Sequence, residues 1–243
     1  MVGAILQCRM SSSRFPGKVL MRFPWGSGLT LIERIANQIK KSASLKEVVI
    51  ATSIHPSDDP IESLCRREGF RLFRGDLENV HRRFVEANRS SAYGHIVRLT
   101  GDNPLLDIGF LDRLINHHLK TGNDYTFSSN LPLGCNFEIY RANALENFNP
   151  GEMTESEREH VTLHFKSHPD RYQVEKHEFE TTEILELLAN LRLTVDYPSD
   201  YALWNLMTTM NPNVASLEEV AELVRAFPWL REINKGNKQL VFN

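Results

Sequence analysis

The chain has 243 residues, with 28 Lys and Arg against 31 Asp and Glu, for a formal net charge of −3. That near-balance argues against a general nucleic-acid binder, which would carry excess positive charge, and leaves only local basic clusters to consider. Hydrophobic residues make up 41% of the sequence, which allows a full core in one sizeable α/β domain.

Val2 to Leu6 is a short continuous apolar run, as expected of a buried parallel strand. It is too short for a signal-peptide core and ends in polar residues, and no later run approaches a membrane span. Cys8, Cys65 and Cys135 are widely spaced and form no CxxC pair, which suits a reducing compartment. The expectation is a cytoplasmic protein.

Further along, "LTLIERIANQIKKS" places Leu31, Ile35, Ala36 and Ile39 on one helical face, opened by a Thr30–Glu33 capping box. "EVVIATS" reads as a second strand. "DDPIESLCRREG" reads as a helix with Asp59 as cap, Pro60 in the first turn and Gly69 at the end. "FRLFRG" is a third strand, "VHRRFVEANRSS" a helix and "HIVRLT" a fourth strand. "DIGFLDRLINHHLKTG" is a helix capped by Asp107 and stopped by Gly122. This β-α-β-α alternation predicts a mostly parallel sheet with helices on both faces. In such sheets ligands bind at the carboxyl ends of the strands, where both the opening loop and "TGDNPLLD" sit.

The second half is less regular. "DYTFSS", "NFEIYR", "YQVEKHEF" and "LRLTVDY" read as strands. "SEREHVTLHFKSH" reads as one helix with Ser156 and Glu159 as its capping box. "SDYALWNLMTTM" and "SLEEVAELVRAF" read as closing helices. No linker, internal repeat or clear domain boundary interrupts the chain. The expectation is a single domain over 1–243 with an irregular β-containing insertion in its second half, 130–190 forming a substrate lid or subunit interface.

Arg9, Arg14 and Lys18 lie close together in "QCRMSSSRFPGKVL" with three serines between the arginines and no acid. The loop is not a Walker A motif, which would need Gly at Ser12 and Ser or Thr at Val19, and no GxGxxG follows the strand. It still has the makings of an anion site. Arginines bind phosphate oxygens bidentately, Lys18 supplies a point charge, and Gly17 lets the backbone approach closely. The alternative is a solvated basic turn. Asp102 follows a strand end and suits a divalent cation against phosphates, or else a simple turn and cap. Asp196 ends a strand-like run and is the better second ligand, whereas Asp200 reads as a helix cap. His160, His164 and His168 recur at i, i+4 and i+8, a spacing that can hold zinc, but Val161 stands where HExxH needs glutamate. His117 and His118 read as a pair on a helix surface. No G-x-S-x-G elbow or Cys–His pairing points to a covalent nucleophile.

Together, "RMSSSRFPGKVL", "VVIATSIHPSDDPI", "FRGD", "VRLTGDNPLLD", "REHVT" and "LRLTVDYPSDY" form an ordered set over nearly the whole chain. The first resembles the R-x-x-S-x-R-x-P-x-K motif of the cytidylyltransferases that make CMP-activated sugar acids, at Arg9, Ser12, Arg14, Pro16 and Lys18. The set is similar to the spore coat polysaccharide biosynthesis protein F branch of that family. The resemblance implies a three-layer α/β/α Rossmann-like nucleotidyltransferase, often a homodimer. It would transfer CMP from CTP to a sugar or sugar-acid acceptor with Mg²⁺, releasing pyrophosphate, in surface polysaccharide biosynthesis.

Carried over by motif, Arg9, Arg14, Lys18 and Asp102 would be catalytic, with Gln7, Ser12, Arg98 and Gly101 also at the nucleotide and Arg74 near the cytosine. Asp102 and Asp196 would bind the metal, and Asn136 and Glu138 would face the acceptor. The chain departs from the branch's G-L-D-x-E pattern at Gly134-Cys135-Asn136-Phe137-Glu138 and from D-V-L-D-R at Asn79–Arg83. The lost acid at 136 suggests a more anionic or altered acceptor. The alternatives are another nucleoside triphosphate, a sugar or alditol phosphate acceptor, or a catalytically silent nucleotide-binding protein of the same fold.

Overall fold

The computed structural model describes residues 1–45, 47–149 and 151–239. The strands are β1 (Val2–Gln7), β2 (Arg22–Phe23), β3 (Leu29–Thr30), β4 (Val48–Ser53), β5 (Arg71–Gly75), β6 (His95–Thr100), β7 (Tyr125–Ser128), β8 (Glu138–Arg141) and β9 (Val174–His177). The helices are α1 (Leu31–Ile39), α2 (Asp59–Glu68), α3 (Val80–Arg89), α4 (Ile108–Thr121), α5 (Ala142–Glu146), α6 (Glu155–Glu159), α7 (Leu163–Ser167), α8 (Glu183–Leu188), α9 (Pro198–Met210) and α10 (Leu217–Ala226).

Seven strands form one sheet in the order β5-β4-β1-β6-β8-β7-β9, while β2 and β3 pair as a small separate ribbon. All neighbours in the large sheet are parallel except around β8, which runs against both β6 and β7. The chain steps outward from β1 to β4 and β5, then returns to lay β6 on the other side of β1. The carboxyl ends of β1 and β6 therefore flank the topological switch point, where ligands bind in sheets of this kind.

Successive strand residues face opposite sides of the sheet. Ala4, Leu6, Val97 and Leu99 join a core with Ile35 of α1, Leu64 of α2, Leu111 of α4, Trp204 of α9 and Val220 of α10. Ile5, Ile96 and Tyr140 join the opposite core with Phe84 of α3, Leu145 of α5 and Phe165 of α7. Helices thus cover both faces, as the alternating pattern predicts. Each wholly buried leucine, such as Leu6, contributes roughly 2 kcal/mol, so the central strands form a firm platform for the loops at their ends.

Several local expectations need correction. Residues 191–197 form no strand of the sheet; they make a single isolated bridge, Leu133 to Arg192. Their backbone donors go elsewhere: Leu193 to the Leu133 carbonyl, Val195 to the Asp102 carbonyl, and Asp196 and Tyr197 to the Asp200 carboxylate. The expected helix over 156–168 is two short ones, α6 and α7, broken where His160 takes φ −102° and ψ 84°. The capping box there is Thr154–Glu157, two residues earlier than Ser156–Glu159. The cap of α2 is Asp58 rather than Asp59. Its buried carboxylate accepts from Met10 N at 2.7 Å and Ser53 N at 3.2 Å, tying the opening loop to the end of β4. The Thr30–Glu33 box, the Asp107 cap and the left-handed stop at Gly122 form as expected.

Candidate active site

The loop after β1 folds back on itself. Ser12 N and Gly17 N both donate to the Met10 carbonyl, at 3.0 and 2.9 Å. Gly17 sits at φ 74°, a left-handed conformation that disfavours a side chain, and it brings Lys18 round to point beneath the loop. At the end of β6, Gly101 N donates to the Gln7 carbonyl at 2.7 Å, and a Cβ on Gly101 would stand 2.8 Å from that of Cys8. Only a glycine lets the two strand ends meet this closely.

Asp196 reaches the same place without a strand to carry it. Gly134 at φ 97° packs so tightly that a Cβ would fall 2.5 Å from Thr194 N. With the Val195–Asp102 backbone bond, this pins 193–196 against the end of β6.

A cleft of about 390 Å³ results, lined by the opening loop, the ends of β1 and β6, His160 and Asp196. Its centre is a charge cluster. Lys18 Nζ lies 3.0 Å from Asp196 Oδ1 and 3.3 Å from Asp102 Oδ2, and Arg14 Nη2 lies 2.8 Å from Asp196 Oδ1. Burial opposes ionisation of Asp196, but Lys18 and Arg14 outweigh it and hold the carboxyl below its ordinary value. Arg9 stands at the rim, 41% exposed and 3.6 Å from Glu159. The Nε groups of Arg14 and Arg98 are buried and have no hydrogen-bond partner. Unmet guanidinium donors beside a cleft suit an anionic ligand. Burial pushes the Cys8 thiol up, so it offers no thiolate nucleophile.

A second cavity of about 340 Å³ adjoins the first, the two sharing Arg98 and Thr100. The antiparallel register sets Glu138 opposite Arg98 on one side and Phe127 on the other. Arg98 Nη1 donates to Glu138 Oε2 at 2.7 Å, Tyr125 OH to Oε1 at 2.6 Å, and Lys166 Nζ to Oε1 at 3.3 Å. Burial alone would raise the Glu138 carboxyl, but Arg98 and Lys166 bring it down to about 2. Lys166 also lies over the Phe127 ring, 4.5 Å from its centroid.

Of the residues singled out from sequence, Gln7, Arg9, Ser12, Arg14, Lys18, Arg98, Gly101, Asp102 and Asp196 come together around the first cleft. Asn136 and Glu138 line the second cavity. Asn136, however, is engaged with its own loop. Its Oδ1 accepts from Ser128 Oγ and Leu131 N, and its Nδ2 donates to the Leu131 carbonyl at 3.0 Å. An ionised aspartate could not make that donation.

Arg74 is not brought to the cleft. It faces α2, where Asp59 at 2.8 Å, Glu62 and the Ser53 and His55 carbonyls occupy its guanidinium. Asp200 is wholly buried behind the site, held by Arg192, Asn234 and Asn237. It caps the start of α9 and does not line the cleft. Lys166 escaped the sequence reading, and so did the role of Thr162 within "REHVT", whose Oγ1 donates to Glu138 Oε1 at 3.1 Å. Their i, i+4 spacing, which sets two helical residues on one face, was the available signal.

The sequence model of the cytidylyltransferase family matches residues 3–229. The chain belongs to that family. It is 40% identical over 202 residues to the spore coat polysaccharide biosynthesis protein SpsF of Bacillus subtilis, covering 81% of this chain and 82% of that one. Its fold is similar to that of a cytidylyltransferase from Leptospira borgpetersenii, with a TM-score of 0.85 at 24% identity over 100% of this chain and 99% of the other. It is also similar to a CMP:2-keto-3-deoxy-manno-octonic acid synthetase complexed with CTP, with a TM-score of 0.64 at 15% identity over 86% and 99%. This cytidylyltransferase is therefore a nucleotidyltransferase enzyme with the expected three-layer fold. Among its described residues, no helix is long and apolar enough to cross a membrane.

Proposed function

We propose that this cytidylyltransferase transfers CMP from CTP to a hydroxyl of a sugar-acid acceptor, releasing pyrophosphate, in the synthesis of a surface polysaccharide. The observation that carries the reading is the joining of two differently built chambers at Arg98. The first offers Arg9, Arg14 and Lys18 to a triphosphate. Among the described residues, the second has Arg98 and Lys166 against Glu138 as its only charged lining, two cations less one carboxylate, a balance of +1 that suits an acceptor bearing an acid group.

The acceptor hydroxyl oxygen forms a bond to the α-phosphorus and gives up its proton to solvent, and the bond to the bridging oxygen of the departing pyrophosphate breaks. Positioning and charge neutralisation do most of the work in such transfers. Arg14 and Lys18 face the place where negative charge grows on the leaving group, and Arg98 stands between donor and acceptor. The carboxylates of Asp102 and Asp196 converge on one ammonium, so they are near enough to share a divalent cation, and their hard oxygens fit Mg²⁺. Magnesium held there would offset the charge of the triphosphate oxygens.

The test is pyrophosphate release with Mg²⁺, each of the four nucleoside triphosphates, and a panel of sugar acids, neutral sugars and sugar phosphates. Release that needs both CTP and a sugar acid supports the proposal. Release with another nucleotide, or only with phosphorylated acceptors, overturns that part of it.

A further inference from the structure

At the outer edge of the sheet, one strand beyond the β7 residues that line the second cavity, α4 reaches the edge strand β9. Its two adjacent histidines part company there. His118 is wholly buried and engages Thr126 Oγ1 at 2.8 Å and His95 Nδ1 at 3.0 Å. His117 turns the other way, with Nε2 2.7 Å from Glu175 Oε1. Glu175 and His177 are two residues apart on β9 and so share one face of the strand. The His117 and His177 rings approach to 4.3 Å between centroids, inclined at 43°. One ligand atom from each of His117, Glu175 and His177 lies within 4.8 Å of the others.

We propose that His117, Glu175 and His177 form a site for a zinc-class divalent metal, one that clamps α4 to the edge of the sheet.

The donor set decides the metal. Two imidazole nitrogens and one carboxylate oxygen suit zinc or its late first-row neighbours and suit magnesium poorly. A lone histidine would satisfy Glu175 as an ion pair; the second imidazole tilted in beside it is what a metal explains.

The surroundings are arranged as a metal's outer shell should be. Asn123 Nδ2 donates to Glu175 Oε2, which fixes the carboxylate and leaves Oε1 toward the histidines. The edge of His177 meets Phe179 at 4.8 Å and 81°, and Asn130 holds the Phe179 backbone through both N–H and carbonyl. His117 and Glu175 side chains are 31% and 30% exposed, so an ion and a fourth, water ligand can reach them.

The other histidine cluster, Glu157, His164 and His168, does not share these properties. There, as at Glu175, both carboxylate oxygens are engaged, one by Thr154 and the other by His164 at 2.9 Å, and the difference lies in the second imidazole. His168 Nδ1 is bound to the His164 carbonyl at 3.0 Å. That group is explained by hydrogen bonding and serves as the control.

The experiment titrates the tag-free, metal-stripped full-length protein with zinc chloride alone, by calorimetry and by thermal melting, without nucleotide. One equivalent should bind and raise the midpoint. His177→Gln and Glu175→Gln should abolish both effects, with their metal-free midpoints reporting that they fold, and His168→Gln should leave both intact. Cobalt in place of zinc should give the intense visible bands of a four-coordinate site in the wild type and not in His177→Gln. Absence of saturable binding, or saturable binding that survives His177→Gln, overturns the proposal.

Discussion

Lys18 spans Asp102 and Asp196 with one ammonium, 3.3 Å from the first and 3.0 Å from the second. The lysine therefore stands where a divalent cation shared by the two carboxylates would have to come. Entry of a metal–triphosphate complex should turn Lys18 from the carboxylates to the phosphates. Lys18→Met should lower turnover with CTP by on the order of 100-fold or more. The same variant should bind Mn²⁺ more tightly than wild type when no nucleotide is present, because it no longer competes for the carboxylates. Manganese electron paramagnetic resonance measures this directly; weaker or unchanged binding in the variant would contradict it.

Glu138 ties stability to pH. Its carboxyl lies at about 2 in the fold against 4.5 ordinarily, so the unfolded chain binds the proton more readily. The stabilisation is complete above about pH 4.5 and is lost as pH falls toward about 2. Glu138→Gln should destabilise by about 2 kcal/mol at pH 7, since Arg98 and Lys166 lose their shared carboxylate. The gap from wild type in denaturant melts should narrow steadily below pH 4.5. A gap that stays constant to pH 3 would remove Glu138 from this role.

Asn136→Asp would restore the acid usual in the related branch, at a price set by geometry. The Leu131 carbonyl would lose its donor, for about 1 kcal/mol of stability. The added negative charge in the second cavity should raise KM for acidic acceptors more than for neutral ones. Steady-state kinetics on matched acid and neutral acceptors would check it, and an equal change for both would count against an acid-binding cavity.

Arg74→Gln separates the family's implication from the geometry. Its guanidinium is bound by Asp59 and Glu62 on α2, away from the cleft. The variant should melt earlier yet keep the wild-type KM for CTP. A large rise in KM with an unchanged melting midpoint would return Arg74 to the nucleotide.

The first half of the fold was legible because buried parallel strands are unbroken apolar runs and their helices carry plain caps, such as Thr30 and Asp107. The second half misleads for physical reasons. Leu191, Leu193 and Val195 are all buried and spaced by two, which mimics a strand, but their partners are loop carbonyls rather than a ladder. Helices α6 and α7 have five residues each, too few for periodicity to report a break between them. In the site, Arg14, Lys18 and Asp102 could be found because each sits beside a strand end. Lys166 left only its i, i+4 spacing from Thr162 as a signal, since it reaches Glu138 across 28 positions of sequence through the fold.

The reversed direction of β8 has one more outcome. The parallel strands β1 and β6 offer the cleft their finish, whereas β8 offers its beginning, so the segment from 129 to 137 arrives at the rim with Leu131, Cys135 and Phe137 rooted in the core. Its backbone meets the 193–194 stretch through the Leu193 N to Leu133 carbonyl bond and through Gly134, packed against Thr194. A change of side chain along it is therefore felt in the core and at the second cavity together.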